Sequence, residues 1–349
     1  MNIEEIVLEG IRRKASDIHI TAGVTPIFRI DGELVSYGDT ILYPEDTEYL
    51  VKQTMNENQL KHFLDEGEFD FSYSMQSVSR FRVNAYKQRG SFGMALRIIP
   101  YDIPSMDSLG LPNVISELTE LPRGLILVTG PTGSGKSTTL ATMVDKINKS
   151  RKCHIITLED PIEYLHKHNK SIVNQREIGS DTKSFANALR GALREDPDVI
   201  LVGEMRDLDT ISIAITAAET GHLVLSTLHT IGAPQTIDRI IDVFPPYQQQ
   251  QVRVQLASVL QAIITQQLLP RADGNGRVAA FEVMVATPAI RNLIRESKIH
   301  QIETAMLTGS KNKMQTMDNS LIQLYKAGKI SKDSAISRAI SQEEIKKYL

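Results

Sequence analysis

The sequence is poor in cysteine, with Cys153 as the single one among 349 residues. One cysteine excludes a disulfide within the chain and a zinc site built on several cysteines, and it is typical of a reducing compartment. Apolar runs are also short, since none approaches the roughly 20 residues that a membrane-spanning helix needs. The N-terminal segment has acidic residues where a signal peptide has basic ones. We therefore expect a cytoplasmic protein that reaches a membrane only through partners.

The chain also lacks an excess of positive charge, because 39 lysines and arginines stand against 42 aspartates and glutamates, giving a formal net charge of -3. A protein whose main partner is a nucleic acid needs a basic surface to neutralise phosphates. The charge balance therefore argues against a nucleic-acid-binding protein. The length predicts two domains, and the apolar fraction of 41% is enough to form their cores.

A glycine-rich stretch, GPTGSGKST, follows the apolar run Leu125–Val128 and precedes a predicted helix over residues 137–149. A buried strand, such a loop and a helix, in that order, are the context of a phosphate-binding P-loop. Lys136 would reach the β- and γ-phosphates of ATP, and the Ser137 hydroxyl would bind Mg2+. An ordinary glycine-rich turn is the alternative. The candidate nucleotide-binding residues are Gly130, Pro131, Thr132, Gly133, Ser134, Gly135, Lys136, Ser137 and Thr138.

Carboxylates follow two other predicted strands, at the ends where ligands bind in open α/β sheets. After one strand come Gly203 and Glu204, so Glu204 takes the place of the carboxylate that ATP hydrolysis needs, while the aspartate that usually orders Mg2+ is absent. After the other come Glu159, Asp160 and Glu163. Such acidic density beside a phosphate site requires Mg2+ or water between the charges. A solvated loop is the alternative interpretation of this cluster.

Two histidines and three arginines complete the candidate catalytic set. His222 and His229 flank a predicted buried strand, and His229 lies at the end where a γ-phosphate sensor would sit. A structural hydrogen bond is the usual role of such a histidine, and neither has a second zinc ligand nearby. Arg80 and Arg82 point to one face of a predicted strand, and Arg97 lies on the next. They either form a solvated face or point towards a nucleotide bound by the second domain.

Composition divides the chain into four predicted parts. Residues 1–100 alternate as strands and helices of a small α+β domain. Residues 101–120 are rich in proline and read as an interdomain linker with hinge motion. Residues 121–285 alternate as strands and helices of a doubly wound α/β sheet, and residues 286–349 read as a helical region.

Within these parts the pattern predicts individual elements. The predicted strands of the second domain are Leu125–Val128, His154–Leu158, Val199–Val202 and Leu223–Ser226. Two consecutive prolines introduce a predicted long helix, which would carry on one apolar face Val252, Leu256, Val259, Leu260, Ile263, Ile264 and Leu268. Hairpin turns are predicted at Asp31–Gly32 and over residues 272–277.

Four motifs together resemble the secretion-ATPase superfamily of RecA-like hexameric motors. GPTGSGKST matches its Walker A motif, ITLEDPIEY its acidic box, DPDVILVGEMRD its atypical Walker B motif and TGHLVLSTLHT its histidine box, in the family order. The resemblance covers nearly the whole chain. Within this superfamily the chain is similar to the type IV pilus retraction ATPases, because it contains their AIRNLIRE motif. That motif comprises Ala289, Ile290, Arg291, Asn292, Leu293, Ile294, Arg295 and Glu296.

Residue spacing gives the same motif a physical interpretation. Ile290, Leu293 and Ile294 form an apolar stripe on a helix. Arg291 and Arg295 are like charges four residues apart, which are mildly unfavourable unless an acidic partner meets them. The motif is therefore a candidate interaction surface, with a solvated helix face as the alternative.

The resemblance implies a PAS-like N-terminal domain, a RecA-like P-loop ATPase domain and a helical C-terminal extension, assembled as a homohexamer that hydrolyses ATP with Mg2+. It implies that Glu204 or Glu163 activates the water, with either of them also a candidate to bind Mg2+ through water, and that Arg80, Arg82 and Arg97 approach the phosphates on closure. The implied function is type IV pilus retraction, which drives twitching motility. The implied partners are an inner-membrane pilus platform protein, pilin through it, and an accessory retraction paralogue. No nucleic-acid partner is expected.

Other functions remain as alternatives. Pilus extension and type II secretion ATPases usually carry a four-cysteine zinc insertion and further N-terminal domains, and the accessory retraction paralogue lacks the AIRNLIRE motif. A nucleic-acid translocase on the same core is disfavoured by the charge balance. A nucleotide-gated assembly module that binds ATP without hydrolysis is disfavoured by the carboxylates around the loop.

Overall fold

The computed structural model describes residues 2–30, 32–75, 78–99 and 102–348 of the chain. The chain divides into two compact units, residues 1–102 with 163–165 and residues 103–162 with 166–349. The predicted boundary at residues 100 and 101 lies outside the described residues, and so does Asp31 of the first predicted hairpin turn. The predicted domain limits stay predictions.

The first unit is an antiparallel six-stranded sheet in the order β3-β2-β1-β6-β5-β4, with three helices. Its strands are β1 (Asp17–Ile20), β2 (Ile27–Ile30), β3 (Glu33–Ser36), β4 (Glu68–Met75), β5 (Ser79–Gln88) and β6 (Ser91–Ile99). Its helices are α1 (Ile3–Arg12), α2 (Pro44–Gln53) and α3 (Glu57–Glu66). Apolar residues of the strands and of one face of each helix form a single core that includes Ile6, Ile18, Phe28, Phe63 and Phe81.

The second unit is built on a seven-stranded sheet in the order β13-β12-β7-β11-β10-β8-β9. Its strands are β7 (Gly124–Thr129), β8 (His154–Glu159), β9 (Ile172–Glu177), β10 (Val199–Val202), β11 (Leu223–Leu228), β12 (Leu260–Pro270) and β13 (Arg277–Val285). β13 is antiparallel to β12, whereas the other neighbours are parallel. All of β7 is buried, because apolar cores cover both faces of the sheet. The four strands predicted here are confirmed.

Helices pack on both faces of this sheet and continue after its last strand. They are α4 (Asn113–Leu118), α5 (Lys136–Ser150), α6 (Phe185–Ala192), α7 (Leu208–Glu219), α8 (Ala233–Asp242), α9 (Pro246–Val259), α10 (Pro288–Arg295), α11 (Ile302–Leu307), α12 (Met317–Lys326), α13 (Lys332–Arg338) and α14 (Gln342–Ile345). The helices predicted after the P-loop and after Val285 are confirmed. Across the described ranges, no helix is long and apolar enough to cross a membrane.

The long helix predicted to reach Leu268 is wrong beyond Val259. The chain continues there as β12, which lies between β7 and β13 and is buried along most of its length. A strand buried on both faces has apolar residues at almost every position, so it also satisfies a helical spacing. The predicted hairpin turn over residues 272–277 joins β12 to β13 and is confirmed. Neither β9 nor β13 was predicted as a strand.

Most of the predicted linker over residues 101–120 is packed structure. It contains α4, and Leu111, Ile115 and Leu118 lie in the core that covers one face of β7. Its prolines and glycine therefore mark turns around a short helix rather than a free connection over the whole segment.

Candidate nucleotide site

The glycine-rich loop follows β7 at the carboxyl edge of the parallel strands, and α5 begins at its Lys136. Gly130, Gly133 and Gly135 all have positive φ angles, of 136°, 77° and 90°. A Cβ atom at Gly130 would collide with the carbonyl oxygen of Gln266, whereas no atom lies within 4 Å of such a position at Gly133. These backbone conformations favour glycine and turn the loop around open space.

Lys136 is folded back onto this loop. Its Nζ donates to the carbonyl oxygens of Gly130 at 2.9 Å and Pro131 at 3.2 Å, and it lies 3.5 Å from Nδ1 of His229. The side chain is buried. Its ammonium group is therefore held at the mouth of the loop, where it can exchange carbonyl oxygens for phosphate oxygens.

Hydroxyl groups of the loop fit a phosphate ligand and its metal ion. The Ser134 hydroxyl is buried without a hydrogen-bond partner, which is unusual for a buried polar atom. Ser137 and Thr138 are half-buried on the first turn of α5. Within the described parts of the chain, no group of three or more histidine, cysteine, aspartate or glutamate side chains could hold a metal ion. The Ser137 hydroxyl is an oxygen ligand of the kind that Mg2+ takes from a protein, together with phosphates and water.

Glu204 is brought next to His229 by the ends of β10 and β11. The Thr227 hydroxyl donates to the carbonyl oxygen of Gly203 at 2.6 Å, and the N–H of Met205 donates to the Thr227 carbonyl oxygen at 3.1 Å. Glu204 Oε2 then lies 3.5 Å from His229 Nε2 and 2.8 Å from Arg206 Nε. Lys136, His229 and Glu204 thus form a continuous polar row across the carboxyl edge.

The acidic box begins at the carboxyl end of β8, and the neighbouring strand β9 holds it. Glu159 Oε1 accepts from Thr157 Oγ1 at 2.6 Å and from Gln175 Nε2 at 3.1 Å. Glu177 is buried and accepts from the N–H of Ile162 at 3.1 Å. Gln175 and Glu177 shape this loop, and they were missed because β9 was not recognised as a strand.

Asp160 follows Glu159 directly, so the structure keeps these two carboxylates at the carboxyl edge. Glu163 is exposed and falls with residues 163–165 in the first unit. The choice between Glu204 and Glu163 as the group that activates water therefore stays a prediction.

His222 lies at the opposite edge of the sheet, before the first residue of β11. Its Nδ1 is 2.8 Å from the carbonyl oxygen of Ala217 and 3.2 Å from Thr220 Oγ1, so it terminates α7. Six residues of β11 lie between His222 and His229, so the two histidines are seven steps, or roughly 23 Å, apart at about 3.3 Å per residue. The catalytic role of His222 stays a prediction.

The three predicted arginines share one part of the first unit. Arg82 on β5 pairs with Arg97 on β6, so their side chains lie on the same face as that of Arg80. Arg97 Nε donates to Asp17 Oδ1 at 2.9 Å, and Arg80 Nη1 lies 3.4 Å from Ser74 Oγ. Their approach to a nucleotide stays a prediction.

The AIRNLIRE motif forms α10, and only part of it is exposed. Ile290 and Ile294 are buried. Arg291 points inwards and donates to the carbonyl oxygens of Ala286, Ala257 and Ser258 at 2.9, 2.5 and 2.8 Å, and to Gln261 Oε1 at 3.2 Å. Burial lowers the pKa of Arg291, and the nearby Arg295 adds to this effect. Arg291 therefore holds α10 in place through these hydrogen bonds and needs no acidic partner. Asn292, Arg295 and Glu296 of the same motif are exposed.

Comparisons with known proteins extend this description. The sequence profile of the type II/IV secretion system protein family matches residues 1–331. The chain is 49% identical over 339 residues to the type IV pilus retraction ATPase PilT of Pseudomonas aeruginosa, covering 97% of this chain and 98% of that protein. It is 48% identical over 338 residues to a twitching motility protein of Neisseria gonorrhoeae, covering 95% and 90%. A crystal structure of the pilus retraction motor PilT with bound ADP superposes with a TM-score of 0.92 at 52% identity, covering 99% of each chain.

Proposed function

We propose that this chain, which belongs to the type II/IV secretion system protein family, is an ATP-hydrolysing motor that powers type IV pilus retraction and hence twitching motility. The matches confirm the predicted superfamily and the mixed α/β fold with a RecA-like ATPase domain. The single observation that carries the catalytic part of the proposal is the row Lys136–His229–Glu204, which runs from the phosphate loop to the ends of β11 and β10.

The chemistry follows from the positions along that row. The loop N–H groups and Lys136 bind the β- and γ-phosphates, and Glu204 orients the attacking water. His229 lies between the lysine and the carboxylate, so it fixes their separation and can hydrogen-bond the γ-phosphate. Ser137 would hold Mg2+, and the ion would neutralise charge on the phosphates when bound.

A cavity of about 290 Å³ lies beside the loop and can accept the nucleoside part of ATP. Gly135 and Thr138 line it on the loop side, and the segment around Leu109 lines it on the other. Arg271, Arg277 and Lys329 add positive charge at its border. A nucleoside bound in this cavity would lie next to phosphates held by the loop.

The motor function requires an assembly and partners. We propose a homohexamer in which closure of the N-terminal domain carries Arg82, with Arg80 and Arg97, to the phosphates, so that turnover depends on domain position. We place it at the cytoplasmic face of the inner membrane, bound to a PilC-like platform protein and acting through it on pilin. A PilU-like paralogue is a further proposed partner.

Restoration of twitching tests this proposal. The chain is expressed in a type IV-piliated bacterium that lacks its retraction ATPase, beside Glu204→Gln and Arg82→Ala. We expect the wild-type chain to restore pilus retraction and both variants to fail while folding and binding ADP normally. Extension of pili without retraction would favour the extension ATPase, and rescue only in a strain lacking the accessory paralogue would favour that paralogue. DNA-stimulated turnover would favour the translocase.

A further inference from the structure

Gln266 has a buried side-chain amide next to the phosphate loop. The sequence does not predict this contact, because the segment around Gln266 has a helical spacing and forms the strand β12. The residue is 3% exposed. Its Nε2 donates to the carbonyl oxygen of Ser134 at 2.5 Å, and its Oε1 accepts from Thr139 Oγ1 at 2.8 Å. Because a carbonyl oxygen can only accept, the orientation of this amide is fixed. One side chain thus joins the loop and the first turn of α5 to β12.

The glycines of the loop are shaped around the same residue. A Cβ atom on Gly135 would lie 2.7 Å from Gln266 Nε2, and one on Gly130 would meet the Gln266 carbonyl oxygen. Two glycines of the P-loop are therefore required by the approach of Gln266 as well as by a phosphate. The side chain and main chain of Gln266 support opposite ends of the loop.

β12 provides a rigid base for this contact. Thr265 pairs with Thr129, the last residue of β7, and their hydroxyl groups are 2.9 Å apart. The loop begins at Gly130, directly after β7. Gln266, the residue after Thr265 in β12, then bonds the residues four and nine positions further along the loop and helix. This arrangement fixes the loop between two paired strands.

We propose that Gln266 is a positioning residue for the nucleotide phosphates. It holds the Ser134–Gly135 peptide so that the loop N–H groups are oriented before the nucleotide arrives, which lowers the ordering cost of binding. The inference rests on the proposed nucleotide-binding function. Because Gln266 contacts the loop and not the reacting atoms, the loss of its hydrogen bonds should weaken ATP and ADP binding and raise KM, with kcat at saturation little changed.

The test uses Gln266→Met, which keeps the volume and removes both hydrogen bonds. The matched control is Gln267→Met on the same strand, since Gln267 is also buried but its Nε2 faces the carbonyl oxygen of Arg338 at 3.4 Å. Calorimetry on the full chain measures the Kd for ADP with Mg2+. We expect Gln266→Met to raise it about tenfold, because two net hydrogen bonds are lost, and Gln267→Met to leave it unchanged within about twofold.

Thr139→Val is a second, milder variant that removes only the hydroxyl donor to Gln266. It carries the test if Gln266→Met does not fold, with an expected rise in Kd of about threefold. Where both fold, combining them should raise Kd by less than the product of the single effects, because they break one shared network. An unchanged Kd in a folded Gln266→Met or Thr139→Val protein would overturn the positioning role. Absence of ADP binding by the wild-type chain would instead contradict the proposed function, and this inference with it.

Discussion

The two edges of the seven-stranded sheet carry different kinds of polar contact. At the carboxyl edge, side chains meet beside the phosphate loop, as Lys136, His229 and Glu204 do in their row. At the amino edge, side chains terminate structural elements, as His222 does for α7 and Arg291 for α9. Because the strands are parallel, the same strand contributes to chemistry at one end and to structure at the other. Position along a strand therefore decides the role more than the residue type does.

The AIRNLIRE motif lies at the amino edge of the sheet, on α10. Arg291 clamps α10 to the start of β12, and Gln266 near the other end of that strand holds the phosphate loop. The motif and the phosphate loop are thus connected through one strand, β12. Energetic coupling between them would have to pass through β12, which double-mutant measurements can test.

The largest expected effect is at the carboxyl edge. Replacing Lys136 by Ala removes the charge that faces the phosphates and the contacts that close the loop over Gly130 and Pro131. We expect kcat/KM for ATP to fall by at least about a hundredfold. Steady-state phosphate release measures it, with Lys149→Ala at the exposed end of α5 as the control. Equal turnover in the two variants would contradict the claim that the carboxyl edge carries the catalytic contacts.

The two histidines on β11 give the next largest effect. His229→Ala interrupts the row between Lys136 and Glu204, and we expect kcat to fall by about ten- to a hundredfold. His222→Ala removes only contacts at the end of α7, so kcat per assembled particle should change by less than about threefold. Turnover is measured on particles of the same mass, which separates catalysis from assembly. A larger loss for His222 would show that it acts on a neighbouring chain.

At the amino edge the expected effect is on stability. Arg291→Met leaves three carbonyl oxygens and the Gln261 amide without their donor, and we expect it to lower the free energy of unfolding by about 2 kcal/mol. Arg295→Met, on the exposed face of the same helix, should change it by less than about 0.5 kcal/mol. Urea unfolding distinguishes them. Loss of twitching in Arg295→Met with full stability would identify the exposed face as the partner surface.

The last predicted effect is of similar size and depends on pH; it concerns His166, beyond the acidic box. Burial lowers the pKa of His166 to about 4. The unfolded chain takes up a proton below about 6.5 whereas the folded chain does not, so stability is lost as pH falls from about 6.5 towards 4. The loss from this group should be about 2 kcal/mol between pH 7.5 and 5. In His166→Gln the pH dependence of unfolding should shrink by that amount; an unchanged profile would contradict the assignment.

The sequence predicted those features of the fold that consecutive residues specify, and it missed those that depend on contacts between distant segments. The strand before the glycine-rich loop and the helix after it are specified by consecutive residues, and both are confirmed. The segment that forms β12 was predicted as helix because burial on both faces removes the alternation of apolar and polar residues that marks a strand. The sequence also did not reveal the roles of Gln266, Gln175 and Glu177. Their hydrogen bonds join segments that are distant in sequence and meet only through neighbouring strands. The sequence placed His222 and His229 at opposite ends of β11, as the structure has them, but it did not show that His222 contacts the end of α7.

The most direct test of the account is ATP hydrolysis by purified wild-type chain and Glu204→Gln, with ADP affinity and particle mass determined on the same samples. We expect the wild-type chain to release phosphate as a particle of about six chains. We expect the variant to lose turnover by at least about a hundredfold, while its ADP affinity and mass are unchanged. Turnover by Glu204→Gln equal to that of the wild-type chain would contradict the catalytic row on which the account depends.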